Sequence, residues 1–495
     1  MTDHDVIIVG AGFGGMGAAI SLKRLGFGSA SRDIAILERE DDLGGTWHVN
    51  RYPGLAVDIA SVTYSYSFEP NPHWRHWFAR GPELKRYAEH VADTYDLRRH
   101  MEFGVRVEGA RWDEEAQHWV VTTRGGTRTA TYLMTATGFL SQPRLPDIAG
   151  VEDFAGTVIH TAKWDDTADL DGKRVAVIGT GATAVQLIPE IARRAAALTV
   201  FQRTPIWVTP KADFRIPRVV QTLFAAQPWT QRLARRANST WLEAVMVTGV
   251  LHYRQAKLFN QGAAALAKAH LRRQVKDPDL RRKLTPDYSF GCKRPTFSND
   301  YYPTFTRPHV SLETTPISRI TETGVVTADG HETDVDVLVL ATGFNLWDTN
   351  FPAIEVIGRE GRDLGKWWRE TRFQAYQGVS MPYFPNYLSL ASPYAFLGLN
   401  FFNTMEYQMR LMDRLFTEVK QRGATTFEVT EEANTAFLDR MTELLGDSIF
   451  TLGNCASAHS YYFNPAGEPT LLRPSSTETA IREASEFPLS DYKIS

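Results

Sequence analysis

The chain has 495 residues, is 43% hydrophobic and carries a formal net charge of −3, which fits a soluble α/β protein of two to four domains. That balance lacks the basic excess of a general nucleic-acid binder, so small molecules are the expected partners. Only Cys292 and Cys455 occur, with no CxxC, so neither a disulfide framework nor a dithiol redox centre is expected.

The first predicted strand, Asp5–Val9, runs into Gly10-Ala-Gly12-Phe13-Gly-Gly15 and then a helix, and the next strand, Ile34–Leu37, delivers Glu38. A strand beginning this early is expected to leave no room for a cleavable leader, which makes the cytoplasm the default location. Glycines in this pattern permit a tight turn and close backbone approach, so a pyrophosphate can sit at the positive end of the following helix. Glu38 suits the ribose diol of FAD or NAD. A loop follows with Gly44-Gly45-Thr46-Trp47, Asn50-Arg-Tyr-Pro-Gly54, Asp58 and Tyr64-Ser-Tyr-Ser-Phe68. Its turns and aromatic side chains can shape and cover a flat ring. Asp58 is the only carboxylate between Asp42 and Glu69; such an isolated acid is either a cap or a functional group.

The strand closing on Ala136-Thr-Gly138 has a near copy closing on Ala341-Thr-Gly343. Between them lies a second fingerprint. Arg174–Ile178 leads into Gly179-Thr180-Gly181-Ala182-Thr183-Ala184, and Leu198–Phe201 delivers Gln202-Arg203. A guanidinium at this position attracts the 2′-phosphate that a carboxylate would repel, so the second unit suits NADPH. The expected fold class is α/β, with two Rossmann-like dinucleotide-binding domains and a helical insertion. The FAD-binding domain is discontinuous, residues 1–140 and 372–495, and encloses an NADPH-binding domain of residues 141–212 and 290–371. Residues 213–289 lose strand patterning and take helical spacing, forming the basic insertion. This segment is either a solvated face or a positive field that draws in NADPH or meets an anionic membrane surface. The longest stretch without formal charge, Phe373 to Met405, is broken by Pro382, Pro385 and Pro393. It is expected to form buried loops and a strand near a cofactor rather than a membrane span.

The linker Phe154-Ala-Gly156-Thr-Val-Ile-His160-Thr-Ala-Lys-Trp164-Asp165 fits FxGxxxHxxxW followed by Pro or Asp at every fixed position. By spacing alone, His160 reads as a hydrogen-bonded structural residue. Matched to a known pattern, the stretch resembles the fingerprint of type I Baeyer–Villiger monooxygenases, a branch of the class B flavoprotein monooxygenases. The resemblance extends over nearly the whole chain. It implies FAD and NADPH as cofactors, molecular oxygen as co-substrate, and a ketone converted to an ester or lactone through a flavin C4a-peroxide. It assigns Arg294 to the reaction centre, where it stabilises anionic oxygen; Asp58, if near it, would hold its orientation. Lys293 joins Arg203 and Thr204 at the 2′-phosphate. Gly10, Gly12, Phe13, Gly15, Glu38, Gly45, Thr46, Trp47, Tyr64, Val107 and Phe401 are expected to serve cofactor binding. So are Thr180, Gly181, Ala182, Thr183, Ala184, Gln186 and Tyr461; no metal is expected. Tyr461 stands where the family usually has Trp, Ala56-Val57 replaces Arg-Cys, and Leu390-Ala-Ser-Pro393 replaces a Gly-Pro pattern, which predicts an unusual substrate pocket. The alternative readings are an S- or N-oxygenase, in whose branch the pattern commonly ends without the Asp or Pro, and a flavoprotein redox sensor that no longer turns over.

Overall fold

The computed structural model describes every residue except Met1, Ala30, Ser31, Arg32 and Leu399. Two sheets organise it, the first mixed and the second wholly parallel. In the first, strand His4–Val9 lies between Ile34–Leu37 and Gly126–Thr135, in parallel register with Val9 opposite both Leu37 and Thr135. Strands Val107–Asp113 and His118–Thr123 extend it antiparallel. Tyr387–Ser389 returns late in the chain to pair with Gly126–Thr135. The strand Glu355–Ile357 pairs with Val107–Asp113, so this sheet takes up the chain again before residue 372. The second sheet has five parallel strands in the order Val310–Glu313, Ala197–Phe201, Arg174–Ile178, Val337–Leu340 and Thr157–His160. The central strands of both are continuous apolar runs because helices and loops cover both faces.

The two sheets repeat one local construction. Gly10 donates its N–H to Leu37 and Ala136 to Val9; in the second unit Gly179 donates to Phe201 and Ala341 to Ile178. Gly10 and Gly179 have φ of +109° and +108°. A Cβ there would lie 2.7 Å from the Ala136 carbonyl oxygen and 2.5 Å from that of Ala341. The near-identical Ala-Thr-Gly segments are thus the strand ends against which each glycine turn packs. The third position differs between units. A Cβ on Gly15 would meet the Gly10 carbonyl oxygen at 1.9 Å, whereas Ala184 is accommodated, fully buried.

The two connections between the sheets run side by side: Arg144 donates to the Gly343 carbonyl at 2.9 Å and Asn345 to that of Gln142 at 2.9 Å. The basic insertion forms helices Arg218–Ala226, Pro228–Glu243, Lys257–Gln274 and Pro278–Leu284. The uncharged stretch 373–405 is predominantly buried and includes the short strand Tyr387–Ser389. No helix among the described residues is long and apolar enough to cross a membrane.

One expectation is corrected. Cys292 and Cys455 form a disulfide, with Cα atoms 5.2 Å apart across 163 residues of sequence. Two cysteines so far apart carry no spacing signal; folding brings together the turn after the insertion and the loop after helix Ile449–Leu452.

The contrast at the third fingerprint position predicts unequal tolerance. Gly15→Ala is expected to lower stability by about 3 kcal/mol, the upper range for overpacking, while Ala184→Gly changes the melting temperature little; thermal denaturation of both variants checks this.

Candidate active site

A continuous cavity of about 1360 Å³ joins the two sheet units. Both glycine fingerprints open onto it. Helices Phe13–Arg24 and Ala182–Ile191 begin at Gly12 and Gly181, and neither N-terminus is capped by a side chain. Their first backbone N–H groups therefore remain available for an anion. All the sequence-predicted site residues line the cavity except Gly15 and Ala184, which pack beneath the turns and let each helix approach its strand.

The rims of the two units have opposite charge. Glu38 is buried; one carboxylate oxygen accepts from the Ala11 N–H at 2.7 Å and the other from the Glu40 N–H at 3.0 Å. Each oxygen keeps a lone pair for a sugar hydroxyl. Across the cavity, Arg203 and Lys293 form no salt bridge with any described residue. Burial, with the Arg203 guanidinium nearby, pulls the Lys293 ammonium down to about 8. Two cations that repel one another without a counter-charge form a site for an anion.

At the junction of the units, Arg294 grips Asp58. Its Nε donates to Oδ2 and its Nη2 to Oδ1, each at 2.8 Å, the fork geometry of a strong charge-assisted pair. The side chains are 20% and 25% exposed and both line the cavity. Burial works against both charges, but their mutual attraction and hydrogen bonds prevail: Asp58 is held below the ordinary carboxylate range and Arg294 above the ordinary guanidinium value. Asp58 is thus the ion-pair partner of Arg294 and not a helix cap.

Gln186 fixes the loop that carries Asp58. Its Oε1 accepts from the Ala56 N–H at 3.1 Å and from the Tyr52 hydroxyl at 3.2 Å, and its Nε2 donates to the Ala56 carbonyl at 3.0 Å. A Cβ at Gly54 would lie 2.6 Å from the Gln186 carbonyl oxygen, so the Pro-Gly turn lies directly on the helix of the second unit. Trp47 meets Tyr64 edge-on at 5.6 Å, and Tyr64 meets Phe402 at 5.0 Å, giving the cavity an aromatic wall.

The disulfide joins two segments that contribute to the cavity lining. Cys292 precedes Lys293 and Arg294, while Cys455 begins the loop bearing His459, Tyr461 and Tyr462, all of which line the cavity. Tyr461 is anchored through its carbonyl, which accepts from Trp347 Nε1 at 3.0 Å. His459, Tyr462 and Trp347 were not singled out in the sequence; their nearness depends on long-range packing.

The linker fingerprint has a structural explanation. His160 does not line the cavity. Its Nδ1 accepts from the Ala162 N–H at 3.1 Å, leaving Nε2–H to donate to the Arg144 carbonyl at 3.3 Å. Burial keeps the ring below its ordinary pKa, favouring the neutral form that this pattern requires. His160 therefore braces the paired connections at Arg144. Gly156 is required where a Cβ would lie 2.5 Å from the Asp336 carbonyl oxygen, and Asp165 accepts from the Thr167 N–H at 2.9 Å.

Two sheet units, each presenting a glycine turn and an uncapped helix to one cavity, define an oxidoreductase of the two-dinucleotide class. Residues 7–231 match the family described as Pyridine nucleotide-disulphide oxidoreductase; both cysteines lie outside that span. The chain is 37% identical to a Baeyer–Villiger monooxygenase of Streptomyces coelicolor, covering 99% of this chain and 92% of the relative. It is 36% identical to one of Pseudomonas aeruginosa, covering 99% and 91%. The closed structure of cyclohexanone monooxygenase superposes with a TM-score of 0.87 at 28% identity over the full length of both chains. Steroid monooxygenase bound to NADP gives 0.86 at 31%, covering 100% of this chain and 99% of that one. The chain belongs to the Baeyer–Villiger monooxygenase family.

Removal of the crosslink with Cys455→Ser is expected to destabilise the protein by up to about 5 kcal/mol, the chain-entropy value for so long a loop. Denaturant titration with and without a thiol reductant checks this: the reductant should shift the native midpoint and leave that of the variant unchanged.

Proposed function

We propose that this protein is an FAD- and NADPH-dependent monooxygenase that inserts oxygen beside the carbonyl of a ketone, giving an ester or lactone. The observation that carries the reading is the Asp58–Arg294 fork, set in the wall shared by both nucleotide units. The first unit would hold FAD, with its pyrophosphate at the N-terminus of helix Phe13–Arg24, its ribose at Glu38 and its ring against the aromatic wall. The second would hold NADPH, its 2′-phosphate between Arg203 and Lys293 with Thr204 beside them. When bound, FAD accepts electrons from NADPH and passes them to molecular oxygen.

The chain's own residues supply position and charge. Arg294 remains protonated throughout and offers several donors, so it can stabilise negative charge developing on the carbonyl oxygen. Asp58 holds the guanidinium plane in one orientation on the cavity wall. Fixed charge in a water-poor wall acts without reorganising at the moment of reaction, which is why one such group has a large effect on rate. Tyr462, buried, and Tyr461, partly buried, stand beside Arg294 and help exclude water. Oxidation of a soft sulfur needs no cation at a carbonyl, so the fork favours a ketone over a sulfide.

Replacement of Arg294 by Ala is expected to leave NADPH-driven bleaching of the flavin measurable and to reduce ester formation on the order of 100- to 1,000-fold. Undiminished ester formation in that variant would overturn the proposal. A second expectation concerns pH. Lys293 in the free protein loses its proton near pH 8, and a bound dianion favours the protonated form. NADPH affinity is therefore full below that pH and weakens as pH rises, by up to about tenfold per unit until the bound-state pKa is passed. NADH lacks the 2′-phosphate and should show no such trend. Titration of both nucleotides between pH 6.5 and roughly 9.5, with Lys293→Ala as the control that flattens the NADPH curve, checks the assignment.

A further inference from the structure

The helical insertion has a surface that the proposed reaction does not use. From Arg218 to Lys276 the chain has ten Lys and Arg residues and one acid, Glu243, in a protein whose total charge is −3. Glu243 is already engaged: its carboxylate accepts from the Thr477 N–H and hydroxyl. Arg218, Arg232, Arg236, Lys257, Arg272 and Arg273 are exposed and form no salt bridge with a described residue.

The same helices display apolar side chains to solvent. Among the described residues, eight of the twelve exposed large hydrophobic side chains lie between Val219 and Leu266, including Trp229 at 60%, Leu233 at 60%, Trp241 at 63% and Leu258 at 83% exposure. Their spacing is helical. Val219 and Leu223 share one face of the first helix; Trp229 and Leu233 share one face of the second, beside Arg232 and Arg236. Leu258, Phe259 and Leu266 lie on one side of the third.

The opposite faces are tied to the body of the protein. Gln231 Nε2 donates to the Asn71 carbonyl at 2.7 Å, Arg235 to the Ser65 carbonyl at 2.9 Å and Asn238 to the Thr63 hydroxyl at 2.9 Å. The outward stripes are thus held by a fixed framework. The apolar contacts of the first two helices with the body are made on their other side, where Phe224 packs with Ala60 and Val62.

We propose that this surface docks on an anionic phospholipid bilayer, with the Trp and Leu side chains at the headgroup boundary and the arginines on lipid phosphates. Exposed Trp and Leu interleaved with Arg, and almost no acid, are the features of a segment that lies in a membrane interface without spanning it. A polyanion alone would explain the arginines but not the apolar stripes. A second copy of the chain would explain the stripes but would oppose like charges across the contact. An anionic bilayer satisfies both. The consequence for the protein is access to apolar substrates dissolved in the bilayer.

The test is sedimentation of the purified holoenzyme with vesicles of phosphatidylcholine alone and of phosphatidylcholine mixed with phosphatidylglycerol. The expected result is binding to the mixed vesicles, reduced by added salt, and little binding to the neutral ones. The doubles Trp229→Glu with Leu233→Glu, and Arg232→Glu with Arg236→Glu, are expected to lower the bound fraction at least tenfold without changing NADPH oxidation in solution. Absence of binding to the mixed vesicles, or binding that both doubles retain, would overturn the proposal. It would equally be overturned if the apolar double abolished self-association, or the arginine double abolished oligonucleotide binding, while vesicle binding stayed the same.

Discussion

The site depends on one ion pair. Asp58 and Arg294 come from positions 236 residues apart and meet where burial opposes both charges. Without the other, the carboxylate would be pushed toward neutrality and the guanidinium would lose its counter-charge. Together they form a fixed ion pair, both side chains of which line the cavity. Each partner is held by neighbouring structure. Gln186, on the helix of one nucleotide unit, clasps Tyr52 and Ala56 in the loop of the other, and Cys292, two residues before Arg294, is bonded to Cys455. A displacement of one sheet unit against the other must therefore act on the pair that the proposed chemistry uses.

Charge also separates the two nucleotide positions. The glycine turns are nearly superimposable in backbone demand, down to φ and the packing of each against an Ala-Thr-Gly strand end. Backbone geometry alone would let either turn accept either dinucleotide pyrophosphate. The proposed discrimination lies at the next strand end, where Glu38 is satisfied by backbone donors and Arg203 stands with Lys293, neither cation in a salt bridge with a described residue.

Much of this was legible before folding, and for identifiable reasons. The glycine turns and strand ends are local: a positive φ, a close backbone approach and a charge at a fixed offset are all written within about thirty residues. Arg294 and Asp58 could be named separately from the family resemblance, but their bond could not be read from spacing. His160 was visible as a fixed position, while its work, bracing the paired connections between the units, depends on Arg144 and strand contacts from elsewhere. The cysteine pair was misread because two residues 163 positions apart leave no periodicity, and composition reports only their number. The segment 355–357 joined the first sheet through a strand too short to show a pattern.

The crosslink also changes what the chain is as a covalent object. Residues 292 to 455 form a closed ring that contains Val310–Glu313 and Val337–Leu340 of one sheet and Glu355–Ile357 and Tyr387–Ser389 of the other. Strands of both units therefore belong to the same loop of bonds. A single break of the backbone anywhere inside that ring leaves one molecule, with both halves of the cavity wall still attached. The piece bearing Lys293 and Arg294 is released from the piece bearing Tyr461 only when the sulfurs are reduced as well.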